Sequence, residues 1–149
     1  MNPDFLEALS KVSVRILEEA AFLFSDDLAP ADRPDASWEP IGASLHFEGS
    51  EDTGHIQVWA DPAMVRSLAS NMLGLDEDDP ESSVHVKDAL KEFLNMVLGN
   101  VLTEVWGTGP VFHLSIPALL EASAWNPHLA SRGLWLSVEG HPVVFTGEA

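Results

Sequence analysis

"DALKEFLNMVLGN", residues 88–100, decides how the rest of the chain is read. Its composition favours helix, and its apolar positions recur at steps of three and four. With Asp88 set at zero and about 100° per residue, Glu92, Asn95 and Gly99 fall within about 40° of it, as do Leu102 and Trp106 further on. The opposite side carries Val86, Leu90, Phe93, Val97 and Val101, enough to seat the helix on a sheet. The spacing therefore predicts a long helix from about Val84 to Trp106, stopped by Gly107 and Gly109-Pro110, with one core side and one outward side. The outward side is unusual. Gly99 in mid-helix costs roughly 1 kcal/mol against alanine, and its missing side chain leaves room for a partner. Leu102 and Trp106 are expected to expose apolar area beside it. A carboxylate, an amide, a notch and an apolar end together read as a docking surface. The competing reading packs Gly99 against another element of the same chain. Asn100 and Glu104 fall nearer the buried side, where both would need polar partners.

Upstream, residues 4–24 repeat apolar side chains at Phe5, Leu9, Val12, Ile16, Ala20 and Leu23, the pattern of a second long amphipathic helix. "SDDLAPADRPDASWEP" has three prolines and no periodicity, and reads as a connector. The period then becomes two. Ile41, Ala43, Leu45 and Phe47 alternate with polar or small residues, and Ile56, Val58 and Ala60 do the same beyond "GSEDTG", which predicts a hairpin. Asp61 as N-cap, Pro62 in the first turn and Gly74 at the end bound a short helix. Acidic "LDEDDPESS" leads into the long helix, whose positive end its carboxylates favour. After that helix, Phe112, Leu114 and Ile116 alternate as a strand ended by Pro117, and "ALLEASAW" reads as a short helical piece. Leu134, Leu136 and Val138, the turn "EGHP" and "VVFTG" form a second hairpin. Helices and strands do not alternate strictly, so the expected fold is α+β: one domain over residues 1–149, two long helices covering one face of a mostly antiparallel or mixed sheet.

Composition narrows the function classes. The 149 residues carry 24 acidic against seven basic side chains, a formal charge of −17. That argues against nucleic acid and against anionic membrane surfaces, both of which need a basic patch. With no cysteine, neither disulfides nor thiolate metal sites are available. No apolar run reaches the roughly 18 residues of a membrane span, so a cytoplasmic protein is the expectation.

Asp88, Glu92 and Asn95, with "NMVLGN" continuing, resemble the signature of the CheC/CheX/FliY phosphatases of bacterial chemotaxis. That signature is Asp or Ser, three residues, Glu, two residues, Asn, some twenty-two residues, and then a proline. Pro117 follows Asn95 after 21 residues, one short of the pattern. CheC and FliY members carry the motif on both long helices. Here the first helix has Asp4, then Ala8 and Lys11 where Glu and Asn would stand, and a single motif points to the CheX-like branch. The resemblance implies a CheC/CheX-like fold, a homodimer, and a phosphatase acting on the aspartyl phosphate of a phosphorylated CheY-type receiver. It implies no cofactor of the chain's own, with magnesium on the partner response regulator. Within it, Asn95 would place the attacking water and Glu92 would pair with the regulator's lysine, the two being catalytic. Asp88, Lys91, Gly99, Leu102 and Trp106 would meet the partner, Gly99 giving it room. A receiver-binding adaptor of the same fold without catalysis is the alternative.

Other constellations are weaker. His46, His55, His85, His113, His128 and His141 show no metal-ligand spacing and read as surface or satisfied side chains. Asp76, Glu77, Asp78 and Asp79 lack the spacing and glycine of a calcium loop. There is no nucleophile elbow and no nucleotide-binding glycine pattern.

Overall fold

A computed structural model describes residues 1–76 and 78–149, with the side chains of residues 81–84 left aside. Glu77, one of the acidic run, lies outside the described residues. The first helix, α1 (Pro3–Ala21), is capped by Asn2, whose side chain accepts from the Asp4 and Phe5 amides. It stops earlier than its apolar period suggests. Phe22 turns left-handed at φ 55°, and Leu23 N–H returns to the Leu17 carbonyl at 2.9 Å. This closes the helix end while Leu23 drops into the core.

The connector contains a short strand, β1 (Ser25–Asp27), not foreseen from its prolines. The expected hairpins are present: β2 (Ile41–Glu48) with β3 (Thr53–Ala60), and β6 (Leu134–Val138) with β7 (His141–Glu148). The short helix is α2 (Pro62–Leu73), ended by Gly74 at φ 68°. Asp61 precedes it but makes no capping bond with its side chain. That carboxylate is instead taken by Trp38 Nε1 (3.3 Å) and His141 Nδ1 (3.1 Å). The long helix, α3 (Pro80–Trp106), starts four residues before the expected point, with Pro80 in its first turn, where a missing N–H costs nothing.

The strand expected over Phe112–Ile116 is only β4 (His113–Leu114), and of "ALLEASAW" only the second half holds any helix, as a single 3₁₀ turn. Ala118–Leu120 forms β5, followed by one 3₁₀ turn at Ala122–Ala124. The reason is tertiary: β5 finds free hydrogen-bonding groups on Gly42–Ser44 of β2, and pairing there outweighs the helix preference of Ala and Leu. All strand pairings are antiparallel, in the order β1-β6-β7-β3-β2-β4, with β5 also on β2.

Alternation sends Ala43, Leu45, Phe47, Ile56, Val58, Val143 and Phe145 toward the helices, where they meet Phe5, Leu9, Leu68, Phe93 and Leu98. The other face is not bare. Trp59, Trp125, Trp135 and Val144 form a second cluster, roofed by Trp38 and Leu28 from the connector. Trp38 meets Trp125 edge-on at 4.9 Å, and Trp125 Nε1 donates to the Asp35 carbonyl at 3.0 Å. The Asp35 carboxyl is held below its ordinary range by the Ser37 hydroxyl and then by the Ser37 amide. A side chain on Gly42 would collide with the Trp59 ring opposite it, so glycine lets that ring lie flat on the sheet.

Candidate functional site

The stripe on α3 is built by burying its opposite side. Val86, Leu90, Phe93, Val97 and Val101 are all buried, which turns Asp88 and Glu92 out to solvent and leaves Asn95 and Gly99 half-buried. Asp88 has 65% of its side chain exposed. Its carboxylate lies 3.4 Å from Lys91 Nζ and 3.7 Å from His85 Nδ1. Residues three apart on a helix have Cβ atoms about 5–6 Å apart, so Glu92 and Asn95 stand side by side on this face.

What faces them comes from far along the chain. Gly107, at φ 77°, ends α3 with its N–H on the Thr103 carbonyl at 2.8 Å, and the chain runs back beside the helix. Past β4, Ser115 N–H donates to the His46 carbonyl (2.9 Å), and its hydroxyl accepts from the His46 amide (3.0 Å). Pro117 has no N–H to offer, and pairing resumes only at Ala118. This path sets Ile116 and Pro117 across from the helix. Asp88, Lys91, Glu92, Asn95, Ile116 and Pro117 line one open depression of about 250 Å³. The two halves of the sequence pattern, separated by 21 residues, thus meet at one place. Ile116, read from sequence as an alternating strand residue, is 90% exposed beside the polar pair. The proline after it, already read as the strand's end, interrupts the ladder on β2 until Ala118 and leaves Ile116 out of it.

Gly99 is explained by none of the chain's own packing. A Cβ built there meets nothing within 4 Å, so the same-chain reading of this glycine fails. It borders a second depression of about 340 Å³ shared with Leu102, Thr103, Phe112 and Leu114.

Two expectations for the outward face are corrected. Leu102 is only 5% exposed and belongs to the main core, because the returning segment lays Phe112 and Leu114 along that side of α3. Trp106 is half-buried in an aromatic group with Phe112 (5.3 Å), Phe47 (6.0 Å) and Phe5 (6.3 Å), so it pins the helix end and does not present an open apolar end. Asn100 and Glu104 are exposed, not buried. They brace α1: Glu104 pairs with Lys11 (3.4 Å) and Arg15 (3.7 Å), and Asn100 accepts from Arg15 (3.4 Å). Lys11, at the position where a second motif would need Asn, is thereby committed to α3.

Among the described residues no group of three or more His, Asp or Glu side chains could hold a metal ion. The His46 and His55 rings lie tilted against each other across β2 and β3 at 5.3 Å, and with His113, Glu48 and Glu148 they border a shallow depression of about 650 Å³. No helix among these residues is long and apolar enough to cross a membrane.

Against known proteins, the family described as chemotaxis phosphatase CheX matches residues 41–133, more than half of the chain. No curated protein sequence matches significantly. Several solved structures share the fold. The CheX–CheY complex from Borrelia burgdorferi, with beryllofluoride and magnesium, superposes with a TM-score of 0.69 at 19% identity, over 98% of this chain and 97% of that one. A CheC-like superfamily protein from Shewanella sp. PV-4 gives 0.69 at 19% identity over 100% of both chains. CheX from Vibrio vulnificus gives 0.66 at 16% identity, over 97% of this chain and 99% of that one.

Proposed function

The chain belongs to the chemotaxis phosphatase CheX family, and from that premise we propose that it hydrolyses the aspartyl phosphate of a CheY-type response regulator. The observation that carries this reading is that Glu92, Asn95 and Pro117 line one open depression, which puts a carboxylate and an amide side by side on its wall.

An acyl phosphate is already activated, and the regulator brings its own lysine and magnesium ion. What it lacks is a water held in line with the bond to be broken. The Asn95 amide holds that water by hydrogen bonding. The water's oxygen attacks phosphorus, the bond from phosphorus to the aspartyl oxygen breaks with its electron pair going to the carboxylate, and the water's protons leave with the inorganic phosphate. Glu92, exposed before docking, pairs with the regulator's lysine and so sets the register of the two proteins. Gly99 lets the partner approach the helix backbone.

The test is phosphate release from a phosphorylated receiver with the wild type, Glu92→Ala and Asn95→Ala. Wild type speeds the loss, and Asn95→Ala lowers kcat by on the order of 100-fold, the scale of a misplaced reactant. Binding without acceleration by the wild type would leave a receiver-binding adaptor. Full activity of Asn95→Ala would refute the assigned role of the amide.

A further inference from the structure

Ile116 is a large apolar side chain standing almost wholly in water, 90% exposed, on the rim of the depression that holds Glu92 and Asn95. Folding does not explain it. It belongs to neither apolar cluster, so it adds nothing to the core. It is nonetheless held stiffly. Ser115 before it is bonded twice to His46, and Ala118 two residues later is paired with Ser44. A residue preceding proline is confined to extended conformations, and a β-branched side chain has few rotamers. The outcome is a preorganised apolar knob beside two polar groups, which loses little conformational freedom when it is covered.

We propose that Ile116 is a specificity-determining contact for the receiver domain, seating in an apolar recess on the rim of the receiver's phosphorylated cleft. This rests on the reading of Glu92 and Asn95 given above. A phosphoryl group brought within hydrogen-bonding reach of a water on Asn95 carries the surface around it against Ile116, because both residues line the same 250 Å³ space. Ile116 touches neither the water nor the phosphoryl group. It therefore stabilises docked substrate and transition state alike, which lowers KM and leaves kcat alone.

The experiment compares wild type with Ile116→Ser and Ile116→Val, in phosphate release from a phosphorylated CheY-type receiver and in binding of the same receiver activated with beryllofluoride and magnesium. Ile116→Ser raises KM and Kd roughly tenfold or more, from the loss of most of a buried aliphatic side chain. Its kcat and thermal midpoint match wild type, and Ile116→Val restores most of the affinity. Wild-type affinity in Ile116→Ser, or a loss confined to kcat, overturns the assignment. If the wild type binds the receiver without dephosphorylating it, the hydrolytic reading fails alone, and the binding arm still decides the role of Ile116. If the wild type binds no receiver, both readings fall.

Discussion

Replacing Gly99 should make the protein more stable and, when the new side chain is large, less active. The residue sits well inside the 27 residues of α3, where glycine costs roughly 1 kcal/mol against alanine. A Cβ there meets no atom within 4 Å, so no clash subtracts from the gain. Gly99→Ala is therefore expected to stabilise by about 0.5–1 kcal/mol, which for a chain of this length raises the thermal midpoint by roughly 1–4 °C. Gly99→Phe is neutral to mildly favourable for the helix, yet its ring fills the approach to the stripe next to Asn95. Receiver affinity in that variant should fall by tenfold or more, the order of one lost interface anchor. Thermal unfolding of both variants, with titration against a beryllofluoride-activated receiver, gives the two numbers. Destabilisation by Gly99→Ala would mean that the fold itself needs the glycine, and undiminished binding by Gly99→Phe would mean that no partner lies against this turn. Either result refutes the argument.

Asp88→Ala should change stability by no more than about 0.5 kcal/mol, since its contacts with Lys91 and His85 are solvent-exposed pairs at i,i+3. It should leave kcat unchanged in the phosphate-release assay, and a loss as deep as that of Asn95→Ala would make Asp88 a third working residue. Glu104→Ala removes the shared acceptor of Lys11 and Arg15, and chemical denaturation should show a cost below about 1 kcal/mol that shrinks further in high salt. Trp125→Ala empties the centre of the second cluster, with ring contacts at 4.9, 5.7 and 5.9 Å and one indole bond lost. It should cost about 3–5 kcal/mol by calorimetry, with catalysis normal well below the lowered midpoint.

Periodicity carried the reading wherever local pattern and tertiary burial agree. The three-and-four repeat of Val86, Leu90, Phe93, Val97 and Val101 defined which side of α3 is buried, and so which side bears Asp88, Glu92, Asn95 and Gly99. The alternation in residues 41–60 and 134–145 defined both hairpins, because each strand's inward set pairs with a neighbour close in sequence. What the sequence could not decide depends on partners distant along the chain. Leu102 lies on the same stripe as Asn95 but is covered by Phe112 and Leu114, whose return path no helical wheel contains. Ala118–Leu120 prefers helix locally and becomes strand because β2 offers unpaired backbone groups. Asp61 gives up its cap for Trp38 and His141, contributed from 23 residues upstream and 80 downstream. The placement of Ile116 and Pro117 opposite Glu92 and Asn95 is of the same kind. One sequence period orients a side chain about its own helix, whereas a site between two segments exists only once long-range pairing has closed the loop between them.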